Sequence, residues 1–163
     1  MSSFTQFSAV QQVQYDTFAS RLLKKDYWMV SNGYRYWIGS LDSGKYVDVP
    51  HGFLTDGASV PSILKNIVPA WGSYGQAAAL HDRLCEVPFY TLAATGEQVK
   101  LSRQEIDEIF FEAMKVLEVE PWRYQLIKAA IVTYRLVGHP KVPNVSAAKS
   151  EIQEKYFMLD ATA

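Results

Sequence analysis

The spacing of apolar residues in this chain changes once, near Pro61, and that change limits the folds open to it. Before Pro61, apolar and polar residues alternate in short runs, the period of half-buried strands. Beyond it they recur every third and fourth position, the period of helices with one buried face. Strands first and helices after is the α+β pattern. The expected fold is therefore a small antiparallel sheet or set of hairpins in the N-terminal third, packed on a mainly helical C-terminal half of four to five helices. A chain of 163 residues suits one domain, read as a strand-rich part over 1–60, a helical core over 61–138, and a linker with a C-terminal helix over 139–163.

In the strand-rich part, "DYWMVSNGYRYWIG" places two alternating runs around Asn32-Gly33, a pair suited to the positive dihedrals of a tight hairpin turn, and "DSGKYVDVP" starts a further run. Strands are predicted near Tyr27 to Val30, Tyr34 to Gly39 and Lys45 to Val49. The segment "VQQVQY" suits a strand or a short helix. Beyond it, Pro61 opens a short helix through "SILKNIV" that Pro69 stops, and the next helix runs from near Ser73 to about Glu86. The stretch "VPFYTLAATGEQVKL" reads as a loop. Ser102 and Glu105 then have the spacing of a capping box, ahead of a stripe of Ile106, Ile109, Phe110, Ala113, Met114 and Leu117. Pro121 opens a helix that Gly138 closes, and a last one covers Ser146 to Met158.

Composition narrows the setting. The formal net charge is −1, which gives no general attraction for phosphate backbones or anionic lipid. Arg123, Lys128 and Arg135, with Lys141 and Lys149, form at most a modest patch, and only Lys128 and Arg135 share a helix face, so a solvated surface is favoured over nucleic-acid binding. A single cysteine, Cys85, forms no internal disulfide, and the first residues lack the basic start and apolar run of a signal peptide. A reducing cytoplasm is the expected compartment. No apolar stretch approaches the roughly 20 residues that span a bilayer.

Chemistry gathers around "AAALHDRLCE". Ala77, Ala78, His81, Leu84 and Cys85 share a helix face, so the imidazole of His81 points where small apolar side chains point. A buried imidazole needs partners on both ring nitrogens, since an unsatisfied polar group costs about 1 to 3 kcal/mol. Asp82, Asp56 in "TDGAS" and Asp107 on the following helix are the candidate acids, with Asp82 projecting about a quarter turn away from His81. Converging, they would orient His81 as a general base, or bind one divalent metal ion through Asp56, His81 and Asp82. Each also has a structural reading: Asp107 at a helix start, Asp56 in a turn, His81 as a satisfied core histidine. Cys85, four residues after His81, is a conceivable nucleophile without an evident oxyanion hole, and Ser59 has no base in its local sequence.

The segments "VPHGFLTDGASVP", "AAALHDRLCE" and "SRQEIDEIFFEAMKVLEV" resemble the domain-of-unknown-function family 1353, small proteins of tailed bacteriophages and prophages. The matching positions are Val49, Pro50, Gly52, Phe53, Thr55, Asp56, Ala58, Ser59 and Pro61 in the first, then His81, Asp82 and Leu84. The third carries Arg103, Asp107, Phe110 and Met114, with "VTYRLVG" continuing the likeness to Gly138. The resemblance implies a phage origin and no reaction. It marks Asp56, His81, Asp82 and Asp107 as one polar unit, with Ser59 and Arg103 beside it, and Cys85 stands where the family usually has tyrosine. The histidine-aspartate pair is also similar to the phospholipase A2 arrangement, although that enzyme's disulfides and glycine-rich calcium loop are absent.

Two functions follow as expectations, with a nucleic-acid-binding protein as a further alternative. One is a non-enzymatic phage protein, in the virion or bound to a host protein or to itself, acting in the cytoplasm of the infected host. The other is a small hydrolase-like enzyme in which His81 polarises water and Asp107 orients the imidazole ring, with Asp82 and Asp56 holding a metal or substrate.

Overall fold

The Asn32-Gly33 pair does not make the expected hairpin. The structure is a computed structural model, and it describes residues 6–57, 68–69, 71–138 and 145–161. Strand β1 covers Val13–Tyr15, β2 Trp28–Val30, β3 Tyr34–Trp37, β4 Lys45–Val49 and β5 Leu54–Thr55. Strands β2 and β3, on either side of the pair, belong to different sheets. The Asn32 side chain accepts from the Gln12 amide at 2.8 Å and donates to the Val10 carbonyl at 2.9 Å, so it pins the segment that leads into β1 instead of curling its own backbone. Gly33 serves close approach: a Cβ there would lie 3.2 Å from the His51 nitrogen. The chain crosses between sheets at that point.

The first sheet has the antiparallel order β1-β2-β5, which resolves "VQQVQY" as a strand at its end. The helix α1, Thr17–Leu23, follows it, with Asp16 accepting from the Ala19 amide at 2.8 Å and Lys24 ending it in the left-handed region. Helix α2 spans Gly75–Glu86. The expected loop after it is instead a hairpin of β6, Phe89–Leu92, and β7, Gln98–Lys100, which completes a second antiparallel sheet in the order β3-β4-β6-β7. The short helix expected after Pro61 lies outside the described residues, apart from Val68.

Helix α3, Arg103–Val116, begins with the capping box: the Glu105 amide donates to Ser102 Oγ and the Ser102 amide to Glu105 Oε2 at 2.7 Å. Helix α4, Pro121–Val137, starts on its proline and is followed by Gly138 as C-cap; α5 covers Ala147–Ala161. The class is α+β.

Helices α2 and α3 pack on each other and, through α2, on β4. The alternation along β3 and β4 sends Tyr34, Tyr36, Val47 and Val49 into the core, where they meet Leu80 and Leu84 of α2 and Ile106 and Met114 of α3. A smaller apolar cluster joins Ala19 of α1, Leu54 of β5 and Ile152 of α5. The site lies on the α2 and α3 surfaces that this arrangement brings together.

Candidate functional site

Helix α2 buries Ala77, Ala78, Leu80 and Leu84, and His81 stands one turn after Ala77 on the same side. Its side chain is 12% exposed, and its ring lies 4.8 Å from that of Phe110. His81 Nε2 donates to Asp107 Oδ1 at 2.8 Å, while Nδ1 is 4.0 Å from the sulfur of Cys85. The expected histidine-aspartate pair is therefore made.

Asp107 follows Ile106 in the first part of α3 and has no exposed surface. A carboxylate so placed needs its charge answered within the protein. Arg103, one turn earlier on α3, donates from Nε to Oδ1 at 3.1 Å, and Arg135 of α4 donates from Nη1 to Oδ2 at 2.8 Å. Three cationic donors from three helices thus share one acid. Burial pulls the His81 pKa down, but the sulfur of Cys85 and the carboxylate of Asp107 more than offset it and push it up to about 10. This shift favours the protonated ring.

Asp82, the next residue on α2, faces away from this group. Its Oδ2 accepts from Thr55 Oγ1 at 2.8 Å, and Thr55 Oγ1 in turn accepts from the Gly57 amide at 3.2 Å. Asp56 pairs with Lys25. Burial first, and the negative charge of Asp56 second, raise Asp82 to about 8 against the opposing pull of Lys149, Thr55 and His81. Lys149 of α5 is itself paired with Glu86.

The expected single cluster is therefore two groups on consecutive residues of α2, His81 with Asp107 and Arg103 on one side, Asp82 with Thr55 and Asp56 on the other. Among the described residues no three His, Cys, Asp or Glu side chains are placed to hold one metal ion. The set Asp56, His81 and Asp82 is not brought to one point, because His81 turns to Asp107 and Asp82 to Thr55. Ser59 lies outside the described residues.

Residues 26–131 match the family described as "Protein of unknown function (DUF1353)". The chain belongs to the DUF1353 family. No curated protein and no solved structure matches it. The matched segment contains Asp56, His81, Asp82, Arg103 and Asp107, so both groups of this DUF1353 protein are centred within it. Arg135, Lys149 and Lys25 lie outside.

Arg135, expected on a surface patch, instead reaches Asp107 and belongs to the site. Its signal was present: an arginine inside the apolar run "AAIVTYRLV" needs a buried acid for the same reason that His81 does. Lys25 and Lys149 carried no such signal. Of the remaining basic candidates, Arg123 pairs with Glu120 at 3.0 Å, and Lys128 lies over the Phe111 and Tyr124 rings, so α4 presents no basic stripe among its described residues. No helix is long and apolar enough to cross a membrane among the described residues.

Proposed function

We propose that this DUF1353 protein is a non-enzymatic accessory protein of a tailed bacteriophage, carried in the virion or bound to a host protein inside the infected cell, in which the His81–Asp107 group ties helices together. The observation that carries the structural role is the saturation of Asp107. Both of its oxygens are occupied by His81, Arg103 and Arg135, and none of its surface is exposed. A general base must be unprotonated near its working pH, and an imidazole raised to about 10 already holds its proton. The phage setting rests on the three motifs described above.

The test has two parts. His81→Ala should lower the melting temperature sharply, and the tagged protein should copurify with phage particles or with a host complex from infected cells. An unchanged melting temperature together with loss of a hydrolytic activity would overturn the structural role.

One observation favours a hydrolase-like reading instead. Asp82, raised to about 8 beside Asp56 and bonded to Thr55, is a carboxylic acid able to donate a proton at neutral pH. In that reading Asp82 is the acid, and the His81–Asp107 group fixes the helix that presents it. Asp82→Asn, which keeps the shape and removes the proton, would then abolish turnover of an ester, amide or glycoside substrate while leaving the fold intact.

A further inference from the structure

The four-stranded sheet has one face on the core and one toward solvent. Tyr34, Tyr36, Val47 and Val49 take the core face, so the alternation turns Arg35, Trp37, Tyr46 and Asp48 to the other. On β6, Tyr90 packs against the core, which turns Phe89 and Thr91 outward. Trp37, Tyr46 and Phe89 belong to neither apolar cluster. Three aromatic rings thus lie on the outward face, outside both apolar clusters, and each is still partly exposed.

The register arranges them. Trp37 opposes Tyr46, Tyr46 opposes Thr91, and Thr91 opposes Gln98, so one row of two rings, a hydroxyl and an amide crosses all four strands. With strands ~4.8 Å apart, that row is about 14 Å long. The Trp37 and Tyr46 ring centres are 5.5 Å apart at 69°. Beside them, Arg35 is held by Asp48 through Nε at 2.7 Å and Nη2 at 3.0 Å, and its guanidinium lies 3.5 Å from the Tyr46 ring centre. Clamped in this way, the pair keeps Nη1 donors and unused carboxylate lone pairs at fixed positions next to the rings.

A ligand matched to this face offers a flat apolar side to an aromatic ring and, around its rim, groups that both donate and accept hydrogen bonds. Charge decides among such ligands. The row of four is uncharged, Arg35 is already answered by Asp48, and the Asp48 side chain is 53% exposed. Lys100 sits at a flanking position, and Lys45, in step with Val47, belongs to the opposite face. A polyanion would meet an exposed carboxylate in the middle of the face and gain little from cations that are paired or peripheral. A pyranose ring carries no charge; its C–H face stacks on an indole, and its hydroxyls suit Thr91, Gln98, Arg35 and Asp48.

We infer that the outward face of the β3-β4-β6-β7 sheet binds a short neutral oligosaccharide, with Trp37 as the stacking ring and Thr91, Gln98 and the Arg35–Asp48 pair as the hydroxyl-binding groups. The inference does not depend on the His81–Asp107 group, which lies on the helices behind the sheet.

The test is titration calorimetry of the full chain with chitotetraose, cellotetraose and maltotetraose, and in parallel with oligo(dT). Binding of at least one saccharide is expected, weakened about tenfold or more by Trp37→Ala and by the exposed Gln98→Ala. Gln98→Ala keeps the test decisive if the tryptophan variant folds poorly. No heat with any of the three saccharides, saccharide binding untouched by Gln98→Ala and Arg35→Ala, or salt-sensitive binding of oligo(dT) alone would each overturn it.

Discussion

A carboxylate without exposed surface is stable only when both oxygens are answered, and in Asp107 the three donors belong to three different helices. Replacing it with Asn would leave two guanidiniums without their counter-charge and the His81 ring without its carboxylate partner. Removing one member of a buried charged group typically costs about 3 to 5 kcal/mol, so Asp107→Asn should lower the urea midpoint by a large fraction of its full range. Titration gives a second prediction at this scale. The pKa of His81 rises from 6.5 to about 10 on folding, so the stability it contributes is complete below 6.5 and is lost as pH rises through 10. Asp82 shifts upward too, from 3.8 to about 8, the reverse of a salt-bridged aspartate. Its contribution is complete below 3.8 and is lost as pH rises through 8. Both groups bind more protons in the folded state, so both make stability fall with rising pH. The urea midpoint should therefore drop between about pH 5 and about pH 9, and Asp82→Asn should flatten the lower part of that drop and exceed the parent by more than about 1 kcal/mol at the alkaline end. A midpoint that climbs over the same interval would contradict the burial of these two protons.

At the scale of elements, what could be read in advance depended on whether a signal was local. The capping box and apolar stripe of α3 need only their own residues, and both stand where the spacing put them. Ser102→Ala should cost about 1 kcal/mol by removing an acceptor for the Glu105 amide, a change visible in thermal melting. Asn32-Gly33 misled because a turn signal states only that a local bend is possible, while the partner of each flanking strand is chosen by distant segments. Here Val30 bonds to Phe53 and Tyr34 opposes Val49. The β6–β7 hairpin was missed although Phe89, Tyr90 and Thr91 favour strands and Gly96 supplies the positive φ of 73° at the turn; its proof is the β4 edge it pairs with, which spacing does not reveal. Helix α1 also escaped, although Asp16 is a good cap, because seven residues hold too little periodicity. The His81–Asp107 contact was legible as a need for an acid, whereas the separation of Asp82 from it required knowing that β5 lies on the other side of α2. Gly52 shows the same dependence on distant chain. Its φ is 85°, and a Cβ there would lie 2.6 Å from the Tyr156 Cβ of α5. Gly52→Ala therefore combines left-handed strain of about 1 to 2 kcal/mol with displacement of α5, and should lower the melting temperature more than Ser102→Ala does.

At the scale of the whole molecule, the segment that defines the family does not satisfy its own buried groups. Residues 26–131 hold Asp107 but not Arg135, which fills its second oxygen. They hold β2 and β5 but not β1, which pairs with β2 through Val13 to Tyr15. They hold Leu54 but not Gln153, whose side chain accepts from the Leu54 amide at 2.8 Å and donates to Glu86 at 2.9 Å. Glu86 also loses Lys149, and Asp56 loses Lys25. Each severed tie removes one hydrogen-bonding or ionic partner from a partly or fully buried group, at about 1 to 3 kcal/mol apiece, and the sum is comparable to the entire stability of a domain. A chain cut to residues 26–131 should therefore show no cooperative thermal transition, while residues 6–161 melt as one unit. The single change Gln153→Ala should reproduce part of the effect, costing about 1 to 3 kcal/mol, because it strips the Leu54 amide of its acceptor without shortening the chain. If the cut chain instead melted sharply and near the temperature of the full chain, α1 and α5 would be additions to a self-sufficient family fold, and the buried acids would owe their stability to the strands and helices within the match.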